Sequence, residues 1–152
     1  MNMLSEMLKI AEIHEQRLCY AREDLSKFFP ITKEKVTQLS REELYLIEFY
    51  TSRFSKLQDL MGQKIFTQFL KDLEEPTDEM SFIDKLNKLE KLNIINSVEE
   101  WKVMRQVRNH LAHEYPDKPE LTADNLNKAY QAGEKLLDCL EKIRTFSETH
   151  AS

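Results

Sequence analysis

Arg108, Asn109, His110, His113 and Tyr115 put a fixed cation, an amide, two imidazoles and a phenol within eight residues. An arginine grips phosphate with a planar fork of N–H donors and stays charged at every physiological pH. A histidine takes up and returns a proton near neutrality. Cleaving RNA without a metal needs both functions. A base removes the ribose 2′-hydroxyl proton, an acid protonates the leaving 5′-oxygen, and a cation stabilises the charge gathered on phosphorus. One arginine and one histidine supply half of that scheme; two copies facing each other across a two-fold axis supply all of it. Arg105 lies three residues before Arg108 and can face the same way. Arg105 and His110 are therefore further candidates for contacting RNA. His110 and Glu114, four apart, are spaced to pair.

Simpler readings of the same residues compete. Cationic groups in a last helical turn favour the helix dipole. His110 and His113 would need one or two more ligands to hold a metal, and no matching His or Cys cluster stands elsewhere. No metal and no cofactor is expected. Tyr115 can be a half-buried packing residue, and Trp101 reads as core. Two glycines in the whole chain exclude a glycine-rich phosphate loop. Cys19 and Cys139 sit inside helical patterns and read as buried small hydrophobes of a reducing compartment, not as a disulfide framework.

The elements that must position the cluster read as helices. Leu4, Leu8, Ala11, Leu18, Ala21, Leu25 and Phe28 recur at helical spacing, and Pro30 ends that pattern. Residues 31–39 read as a linker or a short helical turn. Ser40 with Glu43 forms a capping box at the start of a long helix, from Arg41 to about Leu73. Its inward stripe would hold Leu44, Ile47, Phe54, Leu57, Met61, Ile65 and Phe69. Gly62 lies in the middle of it, where glycine costs about 1 kcal/mol relative to alanine, and a close approach by another helix would account for it. After Glu74–Thr77 a third helix runs from about Ser81 to Leu92, with Phe82, Ile83, Leu86 and Leu89 inward. Ser97 with Glu100 predicts a second capping box, and the helix behind it carries Trp101, Met104, Val107 and Leu111. Pro116 and Pro119 stop that helix. Arg108 and His113 would stand about 140° apart on an ideal helix, so they share a site most easily if the helix turns at His113. Thr122 predicts the cap of a last helix, to about Phe146, with Leu126, Tyr130, Gly133, Leu137 and Leu140 along its stripe. The expected fold is an all-α antiparallel bundle of about five helices, one domain over residues 1–152.

Composition narrows the function classes. Charged residues make up 32% and hydrophobic residues 41%, which suits a chain that packs helices in water. No run approaches the roughly 20 apolar residues of a membrane span, and the first ten residues do not read as a signal peptide. A cytoplasmic location is expected. The net charge of −5 argues against a broad basic face for nucleic acid. It leaves room for a local basic cleft, since Arg105, Arg108, His110 and His113 fall within nine residues.

The segment from Trp101 to Tyr115 resembles the signature of the HEPN superfamily: an arginine, usually followed by a polar residue, and a histidine after four to six intervening residues. Here these are Arg108, Asn109 and His113, with four residues between arginine and histidine. Tyr115, two residues after the histidine, extends the likeness to the R-x4-H-x-Y form typical of HepT-like toxins of HEPN/MNT toxin–antitoxin systems. The resemblance implies a helical bundle that forms a two-fold homodimer, with the motifs meeting in a cleft at the interface. It implies a metal-independent endoribonuclease in which Arg108 binds the scissile phosphate, His113 acts as acid or base, and Asn109 orients one or the other. It also implies a partner, a minimal nucleotidyltransferase antitoxin that adds AMP to the motif tyrosine, here Tyr115. The added bulk and charge would repel RNA from the cleft. Two other functions compete: a non-catalytic HEPN module serving as the substrate-binding partner of a nucleotidyltransferase, and a plain structural helical protein. The dimer interface is expected on the motif helix and part of the long helix before it.

Overall fold

Amphipathic stripes and helix caps divide the chain into rods. The computed structural model describes residues 2–150. It contains α1 (Met3–Leu25), α2 (Lys33–Val36), α3 (Arg41–Leu60), α4 (Phe66–Asp72), α5 (Phe82–Lys91), α6 (Val98–His110) and α7 (Pro119–His150). A π turn, Met61–Ile65, joins α3 to α4, so the two make one continuous rod as the sequence predicts. With that rod counted once, five main helices and the short α2 form the all-α fold, and no strand occurs among the described residues.

The caps explain most boundaries. Ser40 and Glu43 form the expected capping box at α3. Ser81 and Asp84 form another at α5. At α6, Ser97 Oγ accepts from Glu100 N at 3.0 Å, but the Glu100 carboxylate turns away to Asn96, so only half of the expected box exists. Glu90 instead accepts from Val98 N at 3.1 Å. The last helix starts at Pro119, before Thr122, because a proline at the first helical position lacks only an N–H that would be unpaired there anyway. Both α4 and α5 end in Schellman turns. Glu74 (φ 64°) and Asn93 (φ 60°) take the left-handed position that glycine usually fills. In these turns Glu75 N reaches Leu70 O and Ile94 N reaches Leu89 O.

Polar pairs fix the packing directions. Arg144 bonds Glu15 at 2.8 Å, while Arg22 bonds the carbonyl of Tyr130, so α1 and α7 run antiparallel. Lys135–Glu100 and Lys142–Asn96 set α6 antiparallel to α7 in the same way. Leu18, Leu25, Phe54, Leu57, Met61, Ile65, Phe66, Leu86, Leu89, Trp101, Leu136 and Leu140 fill the connected core between these rods. No helix among the described residues is long and apolar enough to cross a membrane.

Several inward assignments are corrected. Leu44, Phe82 and Ile83 are 47%, 44% and 43% exposed. Each lies in the first turns of its helix, ahead of the point where a neighbour covers it. Cys19 is exposed, because it follows the buried Leu18 and sits a quarter-turn around α1. Cys139 is buried, and burial pushes its thiol up to about 12. On α7 the buried stripe runs through Ala129, Ala132, Gly133, Leu136, Leu140 and Ile143, leaving the expected Leu126, Tyr130 and Leu137 at its margin.

Candidate functional site

The last two turns of α6 place the cationic half of the motif. Trp101, Met104 and Val107 anchor the helix in the core, which turns Arg105 and Arg108 toward α3. There they meet Asp59, a residue that sequence reasoning missed. Arg108 Nε donates to Asp59 Oδ1 at 3.1 Å and Nη2 donates to Oδ2 at 2.9 Å, a two-pronged clamp. Arg105 Nη1 donates to the same Oδ1 at 2.7 Å and to Gln58 Oε1 at 3.2 Å. The two arginines do face the same way, and one carboxylate holds both.

Burial pushes the Asp59 carboxyl up, but its bonds from Arg108 and Arg105 outweigh that and hold it below the ordinary carboxylate value. The Arg108 guanidinium is raised in turn by its bond to Asp59. Two cations on one carboxylate leave a net positive spot within an acidic chain. The one sequence signal for Asp59 is its place one residue past the buried Leu57–Gln58 pair on the inward side of a long helix. A single sequence does not pair that position with residues nearly fifty places away.

The helix ends between Arg108 and His113, as Pro116 and Pro119 predict. Ala112 N bonds Asn109 O and His113 N bonds His110 O, both at 3.2 Å, so the chain tightens into turns before Pro116. His113 and Asn109 are exposed, Tyr115 is half-buried, and His110 is exposed at the final residue of α6. Among the described residues, none of these four side chains has a hydrogen-bond partner. The spaced pair His110–Glu114 is not formed. With α6 over at His110, a four-residue step no longer stacks one side chain above the other.

His110, His113 and Tyr115 line a cleft of about 350 Å³ together with Glu48 and Thr51 of α3 and the buried Asn125 of α7. Arg105 lines a different groove, farther along the α3 rod, with Asp59 and Trp101. One chain therefore gathers the imidazoles and the phenol in one place and the arginines in another. No group of three His, Cys, Asp or Glu side chains among the described residues is arranged around a common point. Compared with protein-family models, with curated proteins and with solved structures, the chain matches none.

Proposed function

We propose that this protein is a metal-independent endoribonuclease of the HEPN type, acting as a cytoplasmic homodimer and restrained by a minimal nucleotidyltransferase antitoxin. The observation that carries the reading is the split motif. Arg108 is held rigidly in the last turns of α6, while His113 stands unpartnered on the turn that follows. In this reading Arg108 binds the scissile phosphate, Asn109 orients it, His113 moves the proton, and Arg105 and His110 flank the RNA. A second copy completes the cleft. The exposed apolar side chains of Val103 on α6 and of Leu44, Tyr45 and Phe49 on α3 give that copy a surface to cover. Half-buried Tyr115, beside His113, is the group that AMP would modify.

The deciding experiment is RNA cleavage by the purified protein in EDTA, with Arg108→Ala and His113→Ala beside it. Cleavage that persists in EDTA, leaves cyclic phosphate ends and is lost in both variants is the expected result. A co-expressed equal mixture of wild type and His113→Ala should keep about a quarter of the activity if each cleft needs both copies, and about half if the chains act alone. A folded dimer whose Tyr115 is shown unmodified by mass spectrometry, and which cuts none of the RNAs tried, would sink the reading. The separation of Arg108 from His113 within one chain favours a second function, a non-catalytic partner of a nucleotidyltransferase. That function requires tight partner binding that is indifferent to His113→Ala.

A further inference from the structure

The groove that Arg105 lines has features that the motif does not account for. It has a volume of about 480 Å³, within the range of sites that hold small ligands. Its floor is the π turn, an irregularity that often marks functional positions in helices. Gly62 of that turn lies beneath two aromatic rings. A Cβ added there would stand 3.3 Å from Trp101 Cζ2 and 4.0 Å from Phe82 Cζ. The glycine thus keeps open a slot between a buried indole edge and a phenyl ring that is 44% exposed.

The polar groups around that slot are unspent. Gln58 is 1% exposed, yet its Nε2 has no hydrogen-bond partner among the described residues, although its Oε1 accepts from Arg105. A buried amide donor left unmatched costs roughly 1–3 kcal/mol, which a ligand acceptor would recover once the Gln58 amide turns toward the groove that the residue lines. At the other end, Lys85 Nζ donates to Thr67 Oγ1 at 3.1 Å and meets no carboxylate among the described residues. The only anion in the lining, Asp59, is already shared by Arg105 and Arg108. Aromatic surface, an unmatched amide and a free cation are what an unpaired nucleotide needs: a face to stack on, a donor for the base edge and a charge for the phosphate.

We infer that the groove between the π turn, α5 and α6 binds a single unpaired nucleotide of RNA, its base against Phe82 and Trp101 and a phosphate at Lys85 and Arg105. The inference rests on the ribonuclease reading for its choice of RNA over a free mononucleotide, because Asp59 joins the groove directly to Arg108. A base held there would lie next to the phosphate to be cut, and the groove would choose which nucleotide stands at that position.

Trp101 is the sole tryptophan and lines the groove, so its emission reports on it directly. The wild-type protein would be titrated with each of the four nucleoside monophosphates, with ribose 5-phosphate, and with a 2′-O-methylated trinucleotide that cannot be cleaved. Saturable change with at least one monophosphate is expected. It should bind about tenfold more tightly than ribose 5-phosphate and lose about tenfold in Phe82→Ala, the scale of one base–aromatic stack. Lys85→Gln should weaken it similarly. Both positions lie at the surface, and a thermal melt checks that each variant folds. Sugar phosphate binding as well as every nucleotide, no nucleotide response, or wild-type binding by both variants each overturns the pocket. The trinucleotide should gain a further factor of about ten that Arg108→Ala removes. Equal binding of mononucleotide and trinucleotide would overturn the placement of the base beside the cut. Cleavage and binding separate the two proposals. A protein that binds nucleotides but cuts no RNA loses the ribonuclease reading and keeps the groove, and one that cuts without binding does the reverse.

Discussion

Asp59 governs the cationic side of the motif. Arg108 gives the Nε and Nη2 edge of its guanidinium to Asp59, and these two bonds fix the plane so that the Nη1 edge is left to meet an anion. Asp59→Asn keeps the shape but loses the charge. Under the proposed ribonuclease reading, cleavage by this variant should fall about tenfold to a hundredfold, the scale of a small misplacement of an anion-binding group. It should also cost about 1 kcal/mol of stability at neutral pH, which a urea titration reads. That cost depends on pH. The Asp59 carboxyl is held below its ordinary value, so its contribution is present in full above the unfolded value of about 4 and is lost as the pH falls through the lower folded value. Wild type and Asp59→Asn should thus draw together as the pH falls below about 4 and converge only beneath the lower folded value, and a gap that did not narrow on acidification would refute the charged clamp. At this scale the sequence exposed the motif well, since Arg108, His113 and Tyr115 are local to one another. It hid Asp59 and Gln58, whose meaning comes entirely from packing α3 against α6.

Helices were legible wherever caps and stripes agreed. The Ser40–Glu43 box, the end of α6 before His113 and the close approach at Gly62 all appear as the chain implies. What escaped was chemistry with weaker rules: aspartate serving at Ser81's box, glutamate in a left-handed cap, and a π turn that no local pattern announces. Gly133 was assigned to a stripe, and its reason emerges only from the contact of α3 with α7. A Cβ there would lie 2.1 Å from Tyr50 Oη and 3.0 Å from Arg22 Nη1. Tyr50 is pinned, because its hydroxyl donates to Ala129 O at 2.6 Å and burial pushes its pKa up to about 12. Gly133→Ala should therefore destabilise by about 2 kcal/mol through overpacking, although alanine is the better helix former. Pairing it with Tyr50→Phe should return part of the loss in a double-mutant cycle. If Gly133→Ala alone proves neutral in denaturant titration, the tight crossing of α3 and α7 is not as described.

Across the whole molecule, the all-α class followed from periodicity alone, and the antiparallel arrangement from short connections. Which helix serves as the spine did not, because a stripe shows that a helix is buried without showing against how many others. That spine is α7, 32 residues long, which joins α1 through Arg144 and Arg22, α3 through Tyr50, and α6 through Lys135 and Lys142. The segment bearing His113 and Tyr115 is its opposite, since residues 112–114 and 116–118 are all exposed and held by single turn bonds. Backbone amides should divide accordingly under deuterium exchange. Those near Ala129–Leu140 can open only with the whole fold, whereas those of 112–118 should exchange orders of magnitude faster through local opening. Uniform protection across both would contradict this division. The half of the motif that carries His113 and Tyr115 thus rides on a stretch that can change shape without unfolding the rest, while Arg108 is tied through Asp59 to the body of α3.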